Sequence, residues 1–393
     1  MAAALLAVPE FTFATPALAQ DQQAEAPAAE VALPAESESA EAEAKARRSS
    51  PFEPVWSALT LYKNEDASLL NELRLVGRFH LDHYSVDFGL REESDLVVRR
   101  ARFGAKTRLL SKLEAHVEAE FDLEGGPLYN RLTDAYLAWR FSDAARLTVG
   151  KHSVKFTLDG ATSSNELLTI DRSNVANNFW FTEEYIPGVS VSGRTGSWAY
   201  NTGIYSGGRR NSEFGDFEGG YFWLGSVGRD FADALDVERA LVRVDYVYNE
   251  PDEGSDFTRP FENIRSLVFV LDAGRWGFSG DIVAADGFLG QSDAFGVTAL
   301  PWLDLTDRLQ LAGRYTLVKS EEVNGVRLAR YENTVANGRG DLYREFYAGL
   351  NYYIYGHRLK AQTGVTYANM RDRAQDGGAY DGWAWTTGLR VSW

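Results

Sequence analysis

From residue 70 onwards, apolar and polar side chains alternate along the chain with a period of two. Between Leu73 and Leu81 the odd positions are apolar or glycine, and the even positions are mainly polar. This period is that of a β-strand with one apolar face and one polar face. The pattern predicts an all-β chain of sixteen strands, which start near residues 70, 96, 113, 131, 146, 184, 197, 219, 239, 263, 275, 293, 308, 342, 357 and 382.

The connections between these strands alternate between short and long. The short connections cover 111–112, 142–145, 194–197, 230–237, 273–275, 304–307 and 356–357. The longer ones cover 89–95, 124–130, 157–183, 206–218, 250–262, 286–292, 320–341 and 371–381. A membrane barrel has this alternation because one rim carries short periplasmic turns and the other carries longer external loops. The alternative, a soluble β-sandwich or propeller, does not sort loop lengths by parity.

Aromatic content also favours a transmembrane barrel. The chain has 22 Phe, 19 Tyr and 10 Trp, and several lie near predicted strand ends, where a membrane barrel has its aromatic girdles. The mean hydropathy of −0.30 excludes a bundle of membrane-spanning helices, but alternating strands average to such a value. The last strand alternates up to Trp393, and this resembles the outer-membrane assembly signal, in which a terminal Phe is more usual.

Three regions are predicted along the chain. Residues 1–19 are expected to be a signal peptide that lacks its basic start, with small residues at Ala17 and Ala19 before the cleavage point. Residues 20–55 are rich in Ala, Glu and Pro, and they predict a disordered acidic tail on the periplasmic side, where an even strand count places both termini. Residues 56–393 are predicted to form the barrel.

Charge and motifs exclude several function classes. The 56 acidic residues exceed the 40 Lys and Arg, for a formal net charge of −16, which argues against sequence-independent nucleic-acid binding. The absence of cysteine excludes thiolate zinc sites and a cysteine nucleophile. No Gly-x-Ser-x-Gly elbow, phosphate loop or dinucleotide fingerprint is present. We therefore expect no enzyme activity, no cofactor and no metal site.

Six stretches carry a resemblance to a known family. They are GRFHLDHYSVD (77–87), RRARFGAKTRL (99–109), LEAHVEAEFDLEGG (113–126), DAYLAWRF (134–141), LTVGKHSVKFTLDGATSSNELLTIDR (147–172) and IPGVSVSG (186–193). In order and spacing they resemble the phosphate-selective porin O and P family over most of residues 70–205. The resemblance implies a sixteen-stranded, trimeric outer-membrane porin. It also implies that the connection 157–183 folds inward as a constriction loop.

Two rows of charge are expected to face the lumen. Alternation places a basic row on one strand, and Lys151, Lys155 and Arg172 would complete an anion path at the constriction; the row itself is Arg100, Arg102, Lys106 and Arg108. The next strand points acids into the same lumen: Glu114, Glu118, Glu120 and Asp122. The constriction loop adds Asp159, Glu166 and Asp171. Guanidinium groups suit phosphate, but the two rows are also placed to pair across the barrel wall.

These observations predict a passive outer-membrane channel for small hydrophilic solutes. Its selectivity stays open between anions such as phosphate, general diffusion and cations. A second alternative is a structural barrel tethered through the N-terminal tail. The expected partners are outer-membrane lipid, two further copies of the chain, and lipopolysaccharide, which divalent cations would bridge to loop acids such as Glu92 and Glu321. Solvated loop acids are the simpler interpretation of those clusters.

Overall fold

The structure, a computed structural model, describes residues 50–89, 91–182, 184–208, 213–214, 219–252, 254, 257–336 and 338–393. In this part of the chain, sixteen antiparallel strands form one closed sheet. They are β2 Leu70–Phe88, β3 Arg91–Leu109, β4 Leu113–Phe121, β5 Tyr129–Ser142, β6 Ala145–Ser153, β7 Tyr185–Thr195, β8 Trp198–Ser206, β9 Tyr221–Asp230, β10 Arg239–Asn249, β11 Phe261–Ala273, β12 Trp276–Gly287, β13 Ala294–Asp304, β14 Leu309–Ser320, β17 Leu342–Tyr355, β18 Leu359–Arg371 and β19 Tyr380–Ser392.

Smaller elements lie between or before the barrel strands. The short strands are β1 Thr60–Lys63, which pairs with β2, and the pair β15 Val326–Arg327 and β16 Arg339–Gly340. The helices have one or two turns: α1 Glu53–Ser57, α2 Leu158–Ala161, α3 Asn174–Phe179, α4 Ala232–Leu235 and α5 Glu332–Val335. Among the described residues, no helix combines the length and apolar character that crossing a membrane requires.

The predicted sixteen-stranded barrel is confirmed, and fifteen strands begin within two residues of the expected position. The barrel closes where β2 pairs with β19, from Arg78 opposite Ser392 to Asp87 opposite Trp383. The backbone of Trp393 adds two hydrogen bonds to Gly77. A Cβ at position 77 would lie 2.6 Å from the Trp393 ring, so glycine is needed at this closing contact.

Side chains alternate between the outer surface and the lumen as the sequence predicts. Phe103 is 49% exposed on the outside, whereas its neighbour Arg102 on the inner face is 3% exposed. One bulge interrupts β3, because the register with β2 passes from Arg100 to Val98 and leaves Arg99 unpaired. A bulge adds one residue to a strand and redirects its side chains. Arg99 and its neighbour Arg100 therefore both reach the lumen.

The prediction of a long connection over 89–95 is wrong. β2 and β3 each have 19 residues, and their ladder continues to Phe88 opposite Arg91, which leaves 89–90 as the connection. The acidic run at Glu92 and Glu93 suggested a loop, but these residues pair with Val86 and Asp87 and extend the hairpin. The other connections keep the predicted alternation of short and long.

The connection 154–184 folds into the barrel, as expected for the constriction loop. Its amides at Thr157 and Leu158 donate to Asp245 on β10 and Asp281 on β12, at 3.1 and 3.0 Å. Phe156 and Phe179 are fully buried in an apolar cluster that the connection shares with the inner wall and with the connection 321–341. Two long connections thus fill part of the lumen.

The N-terminal segment docks on the rim that carries the short turns. The Trp56 indole donates to the Ser392 carbonyl at 2.7 Å, and its ring lies 5.1 Å from that of Tyr355. Phe52 packs against both rings. This contact covers the end of the closing strand β19.

Replacing this anchor should weaken the barrel. Trp56→Ala removes the ring contacts and the hydrogen bond, and we expect it to lower the free energy of unfolding by about 1–2 kcal/mol. The measurement is a urea titration of the folded protein followed by circular dichroism. Val55→Ala is the matched control, because Val55 lies on the same helix and is 63% exposed. Equal midpoints for the two variants would contradict the anchoring role.

Candidate functional site in the barrel lumen

A cavity of about 280 Å³ lies between the inner wall and the connections 154–184 and 321–341. Its lining is dominated by charge. Five carboxylates line it: Glu120, Asp171, Glu184, Glu332 and Glu345. Eight arginines line it: Arg99, Arg100, Arg102, Arg131, Arg172, Arg259, Arg314 and Arg330. The cavity therefore has an excess of positive charge, although the whole chain is acidic.

Arg100 of the cavity lining is poorly compensated within the described part of the chain. It is 4% exposed, and the described residues place no carboxylate within ion-pair distance of it. Its Nη1 lies 3.4 Å from His80 Nδ1, and its Nε has no hydrogen-bond partner among those residues. A buried guanidinium in this state has spare donors for an anion.

Arg102 and the acidic row pair across the wall. Arg102 Nε lies 3.3 Å from Glu120, Nη2 lies 3.7 Å from Glu184, and Nη1 donates to the Tyr185 hydroxyl at 2.6 Å. Glu120 also accepts from Arg131 at 3.0 Å. Here the basic and acidic rows neutralise each other, which is one of the two arrangements that the sequence left open.

Lys106 and Arg108 also face the lumen side but lie away from the cavity lining. Lys106 pairs with Glu114 at 3.1 Å. Arg108 pairs with Glu65 at 2.7 Å and with Glu72 at 3.3 Å. Both cations are therefore compensated close to the rim that carries the short turns.

Two further lysines of the expected path lie apart from the cavity lining. Lys151 is buried on β6 and pairs with Glu213 of the connection 207–220 at 3.0 Å. Lys155 is half-buried at the start of the constriction loop. The structure thus brings Arg100, Arg102 and Arg172 together around the cavity, and neither lysine is part of the cavity lining.

The remaining acids have separate roles. Glu118 lies on the inner face, 3.8 Å from Arg78. Asp122 follows β4, and its carboxylate accepts the amide of Glu124 at 2.7 Å, which stabilises the turn there. In the constriction loop, Asp159 accepts the Ser173 amide at 2.6 Å. Glu166 is exposed.

Arg172 holds the constriction loop together. Its guanidinium donates to the carbonyls of Asp159 and Thr162 at 2.8 and 3.1 Å and to the Glu184 carboxylate at 3.2 Å. It also lies 4.8 Å from the centre of the Trp180 ring. Hydrogen bonds from a charged donor to buried carbonyls fix the loop more firmly than neutral ones would.

Two wall arginines fasten this loop to the barrel. Arg314 on β14 donates to the Thr169 hydroxyl at 2.8 Å and to the Asp171 carbonyl at 2.7 Å. Arg390 on β19 donates to the Ile170 carbonyl at 3.0 Å. The alternation of side chains along β14 and β19 would have predicted that both arginines face the lumen, because they stand at inward positions between apolar outward ones.

The connection 321–341 is fastened at the same place. Arg390 also forms an ion pair with Asp82, and the Tyr331 hydroxyl donates to that carboxylate at 2.6 Å. Arg330 next to it pairs with Asp171 at 3.1 Å. Arg259 and Arg330 lie in connections without periodic pattern, so no signal in the sequence marked them as lining residues.

Loop carboxylates in the cavity differ in protonation. Burial alone would raise the pKa of Asp171, but Arg99 and Arg330 outweigh burial and hold that pKa well below its usual range. Arg172 and Arg102 do the same for Glu184. Burial, with Glu345 close by, instead raises the pKa of Glu332 to about 8. At neutral pH, Glu332 is therefore mostly protonated and adds little negative charge to the cavity.

Residues 73–221 match the family model described as phosphate-selective porin O and P. The resemblance stated from the six stretches is therefore confirmed over this part of the chain. No curated protein matches the sequence significantly.

Solved structures with the same fold are outer-membrane proteins. The anion-selective porin from Comamonas acidovorans has 12% identity and a TM-score of 0.57, with 82% of this chain and 99% of that chain covered. OmpF of Salmonella typhi, in complex with daunomycin, has 13% identity and a TM-score of 0.59, with 82% and 98% covered. The channel DcaP of Acinetobacter baumannii has 11% identity and a TM-score of 0.55, with 84% and 99% covered. These similar proteins are channels rather than enzymes.

The charge of the cavity should depend on pH through Glu332. Its carboxyl accepts a hydrogen bond from the Tyr343 hydroxyl at 2.7 Å, and it lies near Glu345 on β17 and Arg314 on β14. Raising the pH through about 8 ionises Glu332 and adds a negative charge to the cavity. We expect anion preference, measured as the reversal potential under a salt gradient, to fall across that range.

Glu332→Gln is the matched variant for this titration, because it keeps the size of the side chain and removes the ionisation. Its reversal potential should stay flat where that of the unmodified protein changes. The same pH dependence in both proteins would show that another group titrates.

Proposed function

We propose that this porin-type barrel is a passive outer-membrane channel for small hydrophilic solutes and that it favours anions. The observation that carries the preference is the lining of the cavity, where eight arginines face five carboxylates. Burial also raises the pKa of one of these carboxyls, Glu332, to about 8. In a confined space with little water, fixed charges act on a permeating ion with reduced screening. Rings of Arg and Lys favour anions in such pores.

We propose that the protein lies in the outer membrane of a Gram-negative cell, which the barrel fold and the family match over residues 73–221 support. We infer that both termini are periplasmic. The docking of Phe52 and Trp56 beside Ser392 supports this, because these residues lie on the rim with the short turns, and outer-membrane barrels keep short turns on the periplasmic side. The predicted signal peptide and most of the predicted tail lie outside the described residues, and we propose that residues 20–49 form a periplasmic tail after a cleaved signal peptide at 1–19. The last part of the predicted disordered tail, from Phe52 on, is instead ordered against the barrel, because its aromatic rings pack there.

The proposed partners are lipid, lipopolysaccharide and two further copies of the chain. Trimerisation is supported by the family resemblance. A lipopolysaccharide contact is supported by Glu92, Glu321 and Glu322, which are exposed on the side of the long connections. Phosphate is the specific anion that the family description suggests, and the guanidinium groups around Arg100 offer the donors that a phosphate oxygen accepts.

The test is to remove positive charge from the cavity alone. Arg99→Gln and Arg100→Gln each take one charge from the lining, and each should lower the anion-to-cation permeability ratio about five-fold, equivalent to roughly 1 kcal/mol. The measurement is the reversal potential of purified protein in a planar bilayer under a salt gradient. Phosphate added as a competitor should reduce the chloride current of the unmodified protein and should reduce that of the variants less.

Arg265→Gln is the matched control for these variants. Arg265 is exposed and pairs with Asp286 at 2.9 Å, so its loss changes the net charge equally without touching the cavity. Its reversal potential should equal that of the unmodified protein. A near-zero or cation-favouring potential in the unmodified protein would favour a general or cation-preferring channel, and a folded protein without current would favour a structural barrel.

A further inference from the structure

Two arginines stand opposite each other in the small hairpin of the connection 321–341. Arg327 on β15 and Arg339 on β16 are direct partners in its short ladder. Side chains at directly opposed positions share a face of the sheet and lie close together. Neither arginine lines the lumen cavity, although Arg330 of the same connection does. The hairpin therefore holds a pair of cations that is separate from the cavity lining.

This pair has little to compensate its charge. Like charges directly opposite each other in a sheet repel. The part of the chain that the structure describes places no carboxylate within ion-pair distance of either guanidinium. Arg327 is half-buried, and its Nη1 is buried without a hydrogen-bond partner among those residues. Buried donors are normally satisfied by protein, water or a bound ion, so this nitrogen needs a ligand from outside the described chain.

The pKa of Arg327 reflects the same shortage of negative charge. Burial and the neighbouring Arg339 lower the pKa of Arg327 to about 10, and no carboxylate of the described chain opposes them. Arg327 still carries its charge at neutral pH. An anion between the two side chains would reverse the effect of Arg339, because it supplies negative charge and accepts the spare donors.

The hairpin backbone is fixed on the constriction loop without any ligand. The Arg327 amide donates to Asn178 Oδ1 at 2.8 Å, and the Arg327 carbonyl accepts from Asn174 and Asn178 of α3 at 2.8 and 3.2 Å. Val326 and Leu328, on either side of Arg327, are buried in the apolar cluster. Because the backbone is already ordered, an anion that binds here loses little affinity to ordering of the protein.

A buried glutamine orients the second arginine. Gln291 lies in the connection 288–293, and its side-chain nitrogen donates to the carbonyls of Gly325 and Ser292 at 2.9 and 3.2 Å. These bonds direct Gln291 Oε1 towards Arg339, whose Nη1 lies 3.4 Å away. Arg339 is exposed, so solvent anions reach it directly. Its remaining donors are available to such an anion.

We propose that Arg327 and Arg339 bind a phosphate-like dianion between their guanidinium groups. A guanidinium offers a planar fork of donors that matches the oxygens of such an anion, and two guanidiniums balance its charge. The bound anion would link β15 to β16 through side chains as well as backbone. It would thereby stabilise the connection 321–341 against α3 of the constriction loop. Binding does not require conduction, so the site can be tested even if the proposed function fails.

The experiment titrates inorganic phosphate into the purified, folded full chain at constant ionic strength and follows binding by calorimetry. The starting protein is the Arg100→Gln variant, which weakens the separate phosphate contact proposed in the lumen cavity. We expect one phosphate per chain, and adding Arg327→Gln or Arg339→Gln should weaken it about ten-fold. Arg265→Gln is the matched control and should leave the affinity unchanged, because Arg265 is already paired with Asp286.

Lipopolysaccharide carries phosphate groups of the same chemistry, so a second titration adds it to the protein before phosphate. Loss of phosphate binding at the hairpin would identify lipopolysaccharide as a ligand of the site. Unchanged binding would identify the free anion as the ligand. Either result supports an oxyanion site.

Crystals soaked in arsenate, a phosphate analogue with an anomalous signal, give a readout that does not depend on any variant folding. Density between Arg327 and Arg339 would support the proposal. Density confined to the lumen cavity would overturn it, as would equal phosphate affinity with and without Arg327→Gln. The absence of any phosphate binding would also overturn it, because water would then satisfy Arg327 Nη1. A reversal potential that does not favour anions would instead contradict the proposed function and would not affect this site.

Discussion

The pairing of β2 with β19 is the contact on which the rest of the structure depends. In lipid, every backbone amide and carbonyl of a spanning strand must be satisfied by another strand, and only a closed sheet leaves no edge. Once the sheet is closed, the period of two divides every strand into a lipid face and a lumen face. The lumen then collects the polar half of each strand, so the charged interior follows directly from closure.

Arginine has three distinct roles in that interior. Arg102 is neutralised by Glu120 of the wall and Glu184 of the constriction loop. Arg172, Arg314 and Arg390 donate to carbonyls and hold the constriction loop. Arg100 has neither kind of partner among the described residues. Selectivity should therefore depend on position as well as on number, because Arg100 keeps donors for a permeating ion that the paired and anchoring arginines have already used.

The sequence predicted the fold well because alternation and loop parity are local and repeated signals. The prediction from sequence failed where one local feature of the backbone, such as a bulge, changes which side chains face the lumen. The bulge at Arg99 was missed, although the adjacent pairs Val97-Val98 and Arg99-Arg100 break the alternation there, and it adds an arginine to the cavity. The extension of the β2–β3 hairpin through Glu92 was not predicted, because acidic residues have a weak strand propensity. In the structure, pairing with β2 outweighs that propensity. Arg259 and Arg330 come from connections, whose path into the lumen is set by tertiary contacts.

The acidic row on β4 shows why adjacent rows of opposite charge do not cancel along their whole length. Glu114 is compensated by Lys106 and Arg146, and Glu120 by Arg102 and Arg131. These pairs neutralise two members of the acidic row, and Glu118 between them lies 3.8 Å from Arg78. The connections that enter the lumen bring three arginines and three carboxylates to the cavity, so they add little net charge. The positive excess comes from the wall, where five arginines line the cavity against two carboxylates, Glu120 and Glu345.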